Sequence, residues 1–114
     1  MVLNMLVILM VRESGLRSAL AARLALSGAD VVSMEQVDAA RIGRLGGIAP
    51  VLVADVDAVC AHPGGLAALC GDPLWDRLLI IGADGDPAAP HIHHVGREDP
   101  GAAIASLLRP ADLR

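Results

Sequence analysis

Short apolar runs separated by polar and glycine-rich segments recur along the whole chain. Five of these runs have the length and composition of β-strands, and they are residues 3–11, 31–34, 51–56, 78–81 and the weaker 91–95. The first, third and fourth runs are nearly continuous in Val, Ile, Leu, Met and Ala, without alternating polar residues. Such runs are typical of parallel strands that are covered on both faces of a sheet.

Helices are predicted between these strands. Ser14 can cap a helix that runs to Ser27, in which leucines recur at helical spacing. Three further helical segments are predicted: one capped by Asp38 that ends at Leu45, one over residues 66–70, and one over residues 100–108 capped by Asp99.

Strand and helix therefore alternate through all 114 residues, without a linker or an internal repeat. This alternation predicts one α/β domain, residues 1–114, in which helices cover both faces of a doubly wound, parallel five-stranded sheet. A chain of this length has no room for two hydrophobic cores.

The connection between the fourth and fifth strands is short. It comprises residues 83–90 and contains glycine and proline, which interrupt helices. A parallel crossover usually needs about a dozen or more residues. We therefore expect the helix here to be missing or much shortened, with either an extended loop or a fifth strand that departs from parallel placement.

A missing helix would leave apolar side chains of the fourth and fifth strands uncovered, and the candidates are Leu78, Ile80 and Val95. An isologous interface can bury such a surface. The sequence therefore predicts a homodimer or an obligate protein partner that contacts these two strands and the last helix.

Composition excludes several classes of function. The net charge of −4 argues against binding to nucleic acid or to an anionic membrane surface. The sequence contains no Lys, Thr, Tyr or Phe, and its one aromatic residue is Trp75. Lysine chemistry is excluded, stacking of a flavin or of nucleotide bases is not expected, and no cofactor is predicted.

A cytoplasmic location is predicted. The apolar residues 1–11 are too few to span a bilayer, which takes about 20 residues. They also lack the preceding positive charge of a signal peptide. Cys60 and Cys70 do not make a disulfide framework at this length, so both are expected to be reduced.

In an open parallel sheet, functional side chains lie at the carboxyl ends of the strands. The candidates there are Val11-Arg12-Glu13, Asp55 with Asp57, Gly82-Ala83-Asp84, and Gly96-Arg97. Two aspartates after a buried strand can hold a divalent cation or accept a phosphoryl group. Alternatively, they cap the segment at Pro63-Gly64-Gly65 or face water.

The sequence resembles the receiver domain of two-component response regulators. The resemblance covers most of the chain and is carried by LVILMVRESGLRSALAARLALSGADVV, PVLVAD, LLIIGA and VGREDPGAAIASLLR, which correspond to strands one to five and the last helix. It implies a flavodoxin-like, CheY-like fold with the strand order 2-1-3-4-5.

The resemblance also places the phosphorylation site of receivers on this chain. The acidic pair that holds magnesium falls on Val11 and Arg12, so that only Glu13 carries negative charge there. The phosphoacceptor falls on Asp55, with Asp57 as the alternative.

The remaining positions of that site also lack the functional side chains of receivers. The hydroxyl residue after strand four falls on Gly82, and the phosphate-binding lysine falls on Gly96. Phosphoryl transfer depends on cations that neutralise developing charge, so the resemblance implies a pseudo-receiver with no catalytic residue, no metal and no enzymatic activity. We also predict that the Arg12 guanidinium pairs with Asp55 or Asp57.

Cysteine and histidine residues form a weaker candidate, a zinc site. They are Cys60, His62, Cys70, His91, His93 and His94, and they show none of the standard spacings of zinc ligands. A polar edge strand and ordinary thiols explain the pattern better.

These observations predict a non-catalytic signalling module that acts through protein–protein interaction. One alternative is a receiver that still accepts phosphate on Asp55, and another is a sensor that binds a small ligand in the crevice at the strand ends. The chain can also be the receiver-like segment of a longer regulator or of a pilus-assembly ATPase.

Overall fold

Five parallel strands form the centre of the computed structural model, which describes residues 6–45, 50–83 and 90–108. The strands are β1 Leu6–Met10, β2 Asp30–Ser33, β3 Val51–Asp55, β4 Arg77–Ile81 and β5 Ile92–Val95. They pair in the order β2-β1-β3-β4-β5, and every pairing is parallel. The predicted α/β class and strand order are confirmed.

Five helices occur in the same described residues, and they are α1 Ser14–Leu26, α2 Ala39–Leu45, α3 Val56–Ala61, α4 Gly65–Gly71 and α5 Pro100–Leu108. Four of them match the predicted helices to within one residue at each end. The exception is α3, which begins directly after β3, whereas the apolar pattern predicted that the strand continues through Val56. In these parts of the chain, no helix has both the length and the apolar character of a membrane span.

Aspartate side chains cap α2 and α5, as predicted. Asp38 and Asp99 each accept a hydrogen bond from the backbone N–H three residues further on, at 3.0 and 3.4 Å. The prediction that Ser14 caps α1 is wrong, because Ser14 is already the first helical residue. The N-cap position belongs to Glu13, whose side chain makes no capping hydrogen bond.

The sheet buries a hydrophobic cluster on each face. One cluster joins the strands to α2, α3 and α4 and includes Ile8, Leu52, Leu78, Ile42, Val59 and Leu69. The other joins the strands to α1 and α5 and includes Val7, Val53, Leu79, Leu20, Leu24 and Ile104. Because successive strand residues point to opposite faces, strands without polar alternation fit this three-layer arrangement.

The fifth strand keeps the parallel placement. Residues 78–81 of β4 pair in register with residues 92–95 of β5, which excludes one of the two predicted alternatives, the departure of β5 from parallel placement. No helix is present in residues 82–83 and 90–91, the described part of the connection. The predicted loop falls mainly on residues 84–89, which lie outside the described residues.

The predicted exposure of β4 and β5 is wrong. Leu78, Ile80 and Val95 are buried, with at most 3% of their surface accessible. Trp75 and α4 belong to the cluster on the face of Leu78 and Ile80, and Ile104 of α5 belongs to the cluster on the face of Val95. The homodimer prediction therefore loses the uncovered apolar surface that motivated it.

Arg77 connects the start of β4 to the end of α5. Its Nη1 donates a hydrogen bond to the backbone oxygen of Leu107 at 2.9 Å. A cation at the last carbonyls of a helix is also favoured by the helix dipole. The Nε of Arg77 lies 3.5 Å from Oδ2 of Asp76, whose side chain is 59% exposed, so this ion pair contributes at most about 1 kcal/mol.

We expect Arg77→Met to lower the free energy of unfolding by about 1–3 kcal/mol, because the variant loses a hydrogen bond from a charged donor to Leu107. Asp76→Asn removes only the exposed ion pair and should change the free energy by less than about 0.5 kcal/mol. Urea unfolding followed by circular dichroism measures both values. Equal effects of the two substitutions would contradict a role for the bond to Leu107.

Candidate functional site

Asp55 is the only buried charged residue in the described parts of the chain, with 4% of its surface accessible. It is the last residue of β3 and the N-cap of α3. Its Oδ1 accepts a hydrogen bond from the N–H of Ala58 at 2.9 Å, and its Oδ2 accepts one from the N–H of Arg12 at 3.0 Å. Both carboxylate oxygens are therefore bound to backbone donors, which offsets the desolvation of a buried carboxylate.

These hydrogen bonds connect the carboxyl ends of two neighbouring strands. β1 pairs with β3, and Met10 lies opposite Ala54, so the turn after β1 meets the start of α3. The sequence left open whether the aspartates cap a helical segment. Asp55 does so, but the helix is α3 rather than the segment at residues 63–65.

The predicted salt bridge of Arg12 is wrong. Arg12 is exposed, and within the described residues its guanidinium forms no ion pair with Asp55 or Asp57. The contact with Asp55 comes instead from the backbone N–H of Arg12. Backbone donors bind both oxygens of Asp55, and no acidic side chain in residues 6–45, 50–83 and 90–108 pairs with the guanidinium of Arg12.

Asp57 lies apart from this bridge. It is exposed in the first turn of α3, where a negative charge is favoured by the helix dipole. Its carboxylate makes no hydrogen bond or ion pair with any residue that the structure describes. The two aspartates that the sequence offered as alternatives therefore differ fully in their surroundings.

A crevice of about 210 Å³ opens beyond the carboxyl ends of β1 and β2 and beside the start of α3. Its lining includes Met10 and Met34 together with the polar side chains of Arg12, Arg17, Glu35 and Gln36. In the observed strand order, the chain leaves β1 toward one face of the sheet and leaves β3 toward the other. Ligands of open α/β sheets bind at such switch points.

The positions aligned with the acidic pair of receivers carry no acid into the crevice. Val11 is buried, and its backbone oxygen accepts a hydrogen bond from Nη1 of Arg17 at 3.1 Å. Arg12 brings a positive charge. Glu13 is exposed and does not line the crevice, so its carboxylate is not placed to serve as a ligand there.

Gly82 and Gly96 differ in what they allow. Gly82 follows β4 with a φ of +88°, and a Cβ there would lie 2.9 Å from the guanidinium of Arg97. The same atom at Gly96 would meet open space. At the position where the resemblance implies a hydroxyl residue, Gly82 is required by its positive φ and by the close contact with Arg97. At the position where it implies a lysine, Gly96 is under neither constraint.

Arg17, Glu35 and Gln36 are site residues that sequence reasoning missed. Helical side chains tilt toward the N-terminus of their helix. Arg17 lies early in α1, so this tilt could have indicated that it reaches back to the end of β1. No comparable signal points to Glu35 and Gln36, which simply follow a short strand.

The cysteine and histidine residues are not brought together as a metal site. No group of three or more His, Cys, Asp or Glu side chains that could hold a metal ion occurs in residues 6–45, 50–83 and 90–108. Cys60 and Cys70 are both free. Cys60 is exposed, and burial raises the pKa of the Cys70 thiol.

Comparison with known proteins identifies no relative of this chain. No protein-family model matches the sequence, and neither curated proteins nor solved structures gave a match. A flavodoxin-like strand order serves many unrelated functions, so the residues of the site are the basis on which a function can be inferred.

We expect Asp55→Ala to lower the free energy of unfolding by about 2–4 kcal/mol, because the N–H groups of Arg12 and Ala58 lose their acceptor. Asp57→Ala is the matched control and should change it by less than about 0.5 kcal/mol. Asp55→Asn keeps one acceptor oxygen, so its loss of unfolding free energy should lie between those of the other two variants. Urea unfolding followed by Trp75 fluorescence measures all three, and a fully stable Asp55→Ala variant would refute the bridging role.

We expect Gly82→Ala to cost about 1–3 kcal/mol of unfolding free energy, because the new side chain has an unfavourable φ and collides with Arg97. Gly96→Ala should be neutral or slightly stabilising. Adding Arg97→Ala to Gly82→Ala should recover the part of the loss due to the collision. Thermal and urea unfolding of the four proteins measure these differences, and equal costs at Gly82 and Gly96 would contradict the assignment.

Proposed function

We propose that this chain is a non-catalytic signalling module of the pseudo-receiver type, which binds another protein or a second copy of itself in a phosphorelay-type or regulatory pathway in the cytoplasm. The observation that carries the proposal is the pair of hydrogen bonds that the carboxylate of Asp55 accepts. Its carboxylate is buried, and each oxygen accepts a backbone hydrogen bond. The residue aligned with the phosphoacceptor therefore has a structural role.

Phosphorylation of Asp55 would work against this arrangement. A carboxylate oxygen that attacks phosphorus must give up or weaken its hydrogen bond to Arg12 or Ala58. Phosphoryl transfer also requires neutralisation of the developing charge. At the positions aligned with the metal-binding acids, Val11 has no ligand atom in its side chain and Arg12 repels a metal cation. These properties favour a role in protein binding over a role in phosphoryl transfer.

Two exposed hydrophobic side chains suggest where a protein partner would bind. Leu26 is 90% exposed and Leu45 is 44% exposed, and they end α1 and α2. Both helices begin near the carboxyl ends of the strands and end near the amino ends, so these leucines lie at the end of the sheet opposite to Asp55.

Sedimentation of the wild-type protein and of Leu26→Ser distinguishes a second copy from a different partner, because the purified protein can associate only with itself.

Phosphodonors test the proposal directly. Purified protein is incubated with magnesium and acetyl phosphate, or with magnesium and beryllofluoride, and followed by intact mass and by fluorescence. Trp75 is the only aromatic residue and shares a hydrophobic cluster with Ala58, which binds Asp55. We expect no phosphoryl adduct and no fluorescence change.

A phosphoryl adduct on the wild-type protein would refute the proposal. If Asp55→Asn abolished that adduct, the chain would be a receiver that retains phosphorylation. If Asp57→Ala abolished it and Asp55→Asn did not, the exposed aspartate of α3 would be the acceptor. Because Asp57→Ala preserves the bridge of Asp55, it also controls for loss of folding.

A further inference from the structure

We propose that the crevice beyond β1 and β2 binds a small organic anion through a carboxylate or phosphoryl group. The crevice has a volume of about 210 Å³ and lies at the switch point of the sheet. The inference rests on the charge and shape of this crevice. It is independent of any protein partner and of phosphorylation at Asp55.

The charges that line the crevice favour an anion. Arg12 and Arg17 contribute two positive side chains, whereas Glu35 contributes the one negative side chain in the lining. Glu35 forms no ion pair with either arginine in the described residues. Asp55 is not part of the lining, and both of its oxygens are occupied by backbone N–H groups. The described lining therefore carries two positive side chains and one negative side chain.

The two arginines differ in how firmly they are held. Nη1 of Arg17 donates to the backbone oxygen of Val11 at 3.1 Å, which positions the guanidinium while leaving its other N–H groups for a ligand. Arg12 is exposed, and no described acid binds its guanidinium. A guanidinium presents paired N–H donors that match the oxygens of a carboxylate or phosphate. Arg17 is thus held by the backbone of Val11, whereas no ion pair with a described residue holds the guanidinium of Arg12.

Size and apolar contacts narrow the class of ligand. The crevice is smaller than the roughly 300–1,000 Å³ of sites that hold drug-sized molecules. Met10 and Met34 provide adaptable apolar contacts, and Gln36 adds an amide that can donate or accept a hydrogen bond. These features fit a compact metabolite with one anionic group and a short aliphatic part.

The test uses butyrate and inorganic phosphate as probes, with sodium chloride at matched ionic strength as the reference. Amide chemical shifts of the ¹⁵N-labelled protein report binding by residue. We expect saturable shifts at Arg12, Glu35 and Ala58 with at least one probe. A response to butyrate alone assigns a carboxylate, and a response to phosphate alone assigns a phosphoryl group.

Arg12→Gln should weaken binding of the probe about tenfold or more, because it removes a charged donor while leaving the backbone bond to Asp55 in place. Arg44→Gln is the matched control, since Arg44 is an exposed arginine of α2 outside the crevice, and it should leave the affinity unchanged. Absence of saturable shifts with both probes, or equal weakening by the two substitutions, would overturn the proposal.

Discussion

The buried carboxylate of Asp55 joins the turn after β1 to the start of α3, at the carboxyl ends of the strands. One oxygen binds the first turn of α3, and the other binds the turn after β1, which lies 43 residues before Asp55 in the chain. The bond to Ala58 is buried, so that N–H has no water as a substitute partner, whereas the bond to Arg12 is partly buried. The positions of Arg12, α3 and the adjacent crevice all depend on this carboxylate.

The rest of the architecture follows from strands that are apolar on both faces. β1, β3 and β4 bury almost every side chain, and they therefore need helices on each side of the sheet. The chain meets this requirement by sending α1 and α5 to one face and α2, α3 and α4 to the other. The crevice lies beside this change of face, between the segments that follow β1 and β2 and the start of α3.

The strands and four helices could be predicted because each has a local signal: an apolar run, a capping aspartate or a helical repeat. The strand order has no such signal and was predicted from the resemblance to receiver domains. The role of Asp55 could not be predicted, because its second hydrogen bond joins it to a distant backbone N–H. The burial of Leu78, Ile80 and Val95 was also missed, since Trp75, α4 and α5 contribute to the clusters that contain them. In both cases, long-range packing decided the outcome.

The placement of Arg12 connects the structural role of Asp55 to the chemistry of the crevice. An acid at this position would add negative charge beside Asp55 and would favour a bound cation to relieve the repulsion. Arginine reverses that preference, while its backbone N–H still satisfies Asp55. The backbone of one residue thus supports the fold while its side chain adds a positive charge to the lining of the crevice. This arrangement supports our proposal that the crevice binds an anion, because an arginine beside Asp55 is not a ligand for a magnesium ion.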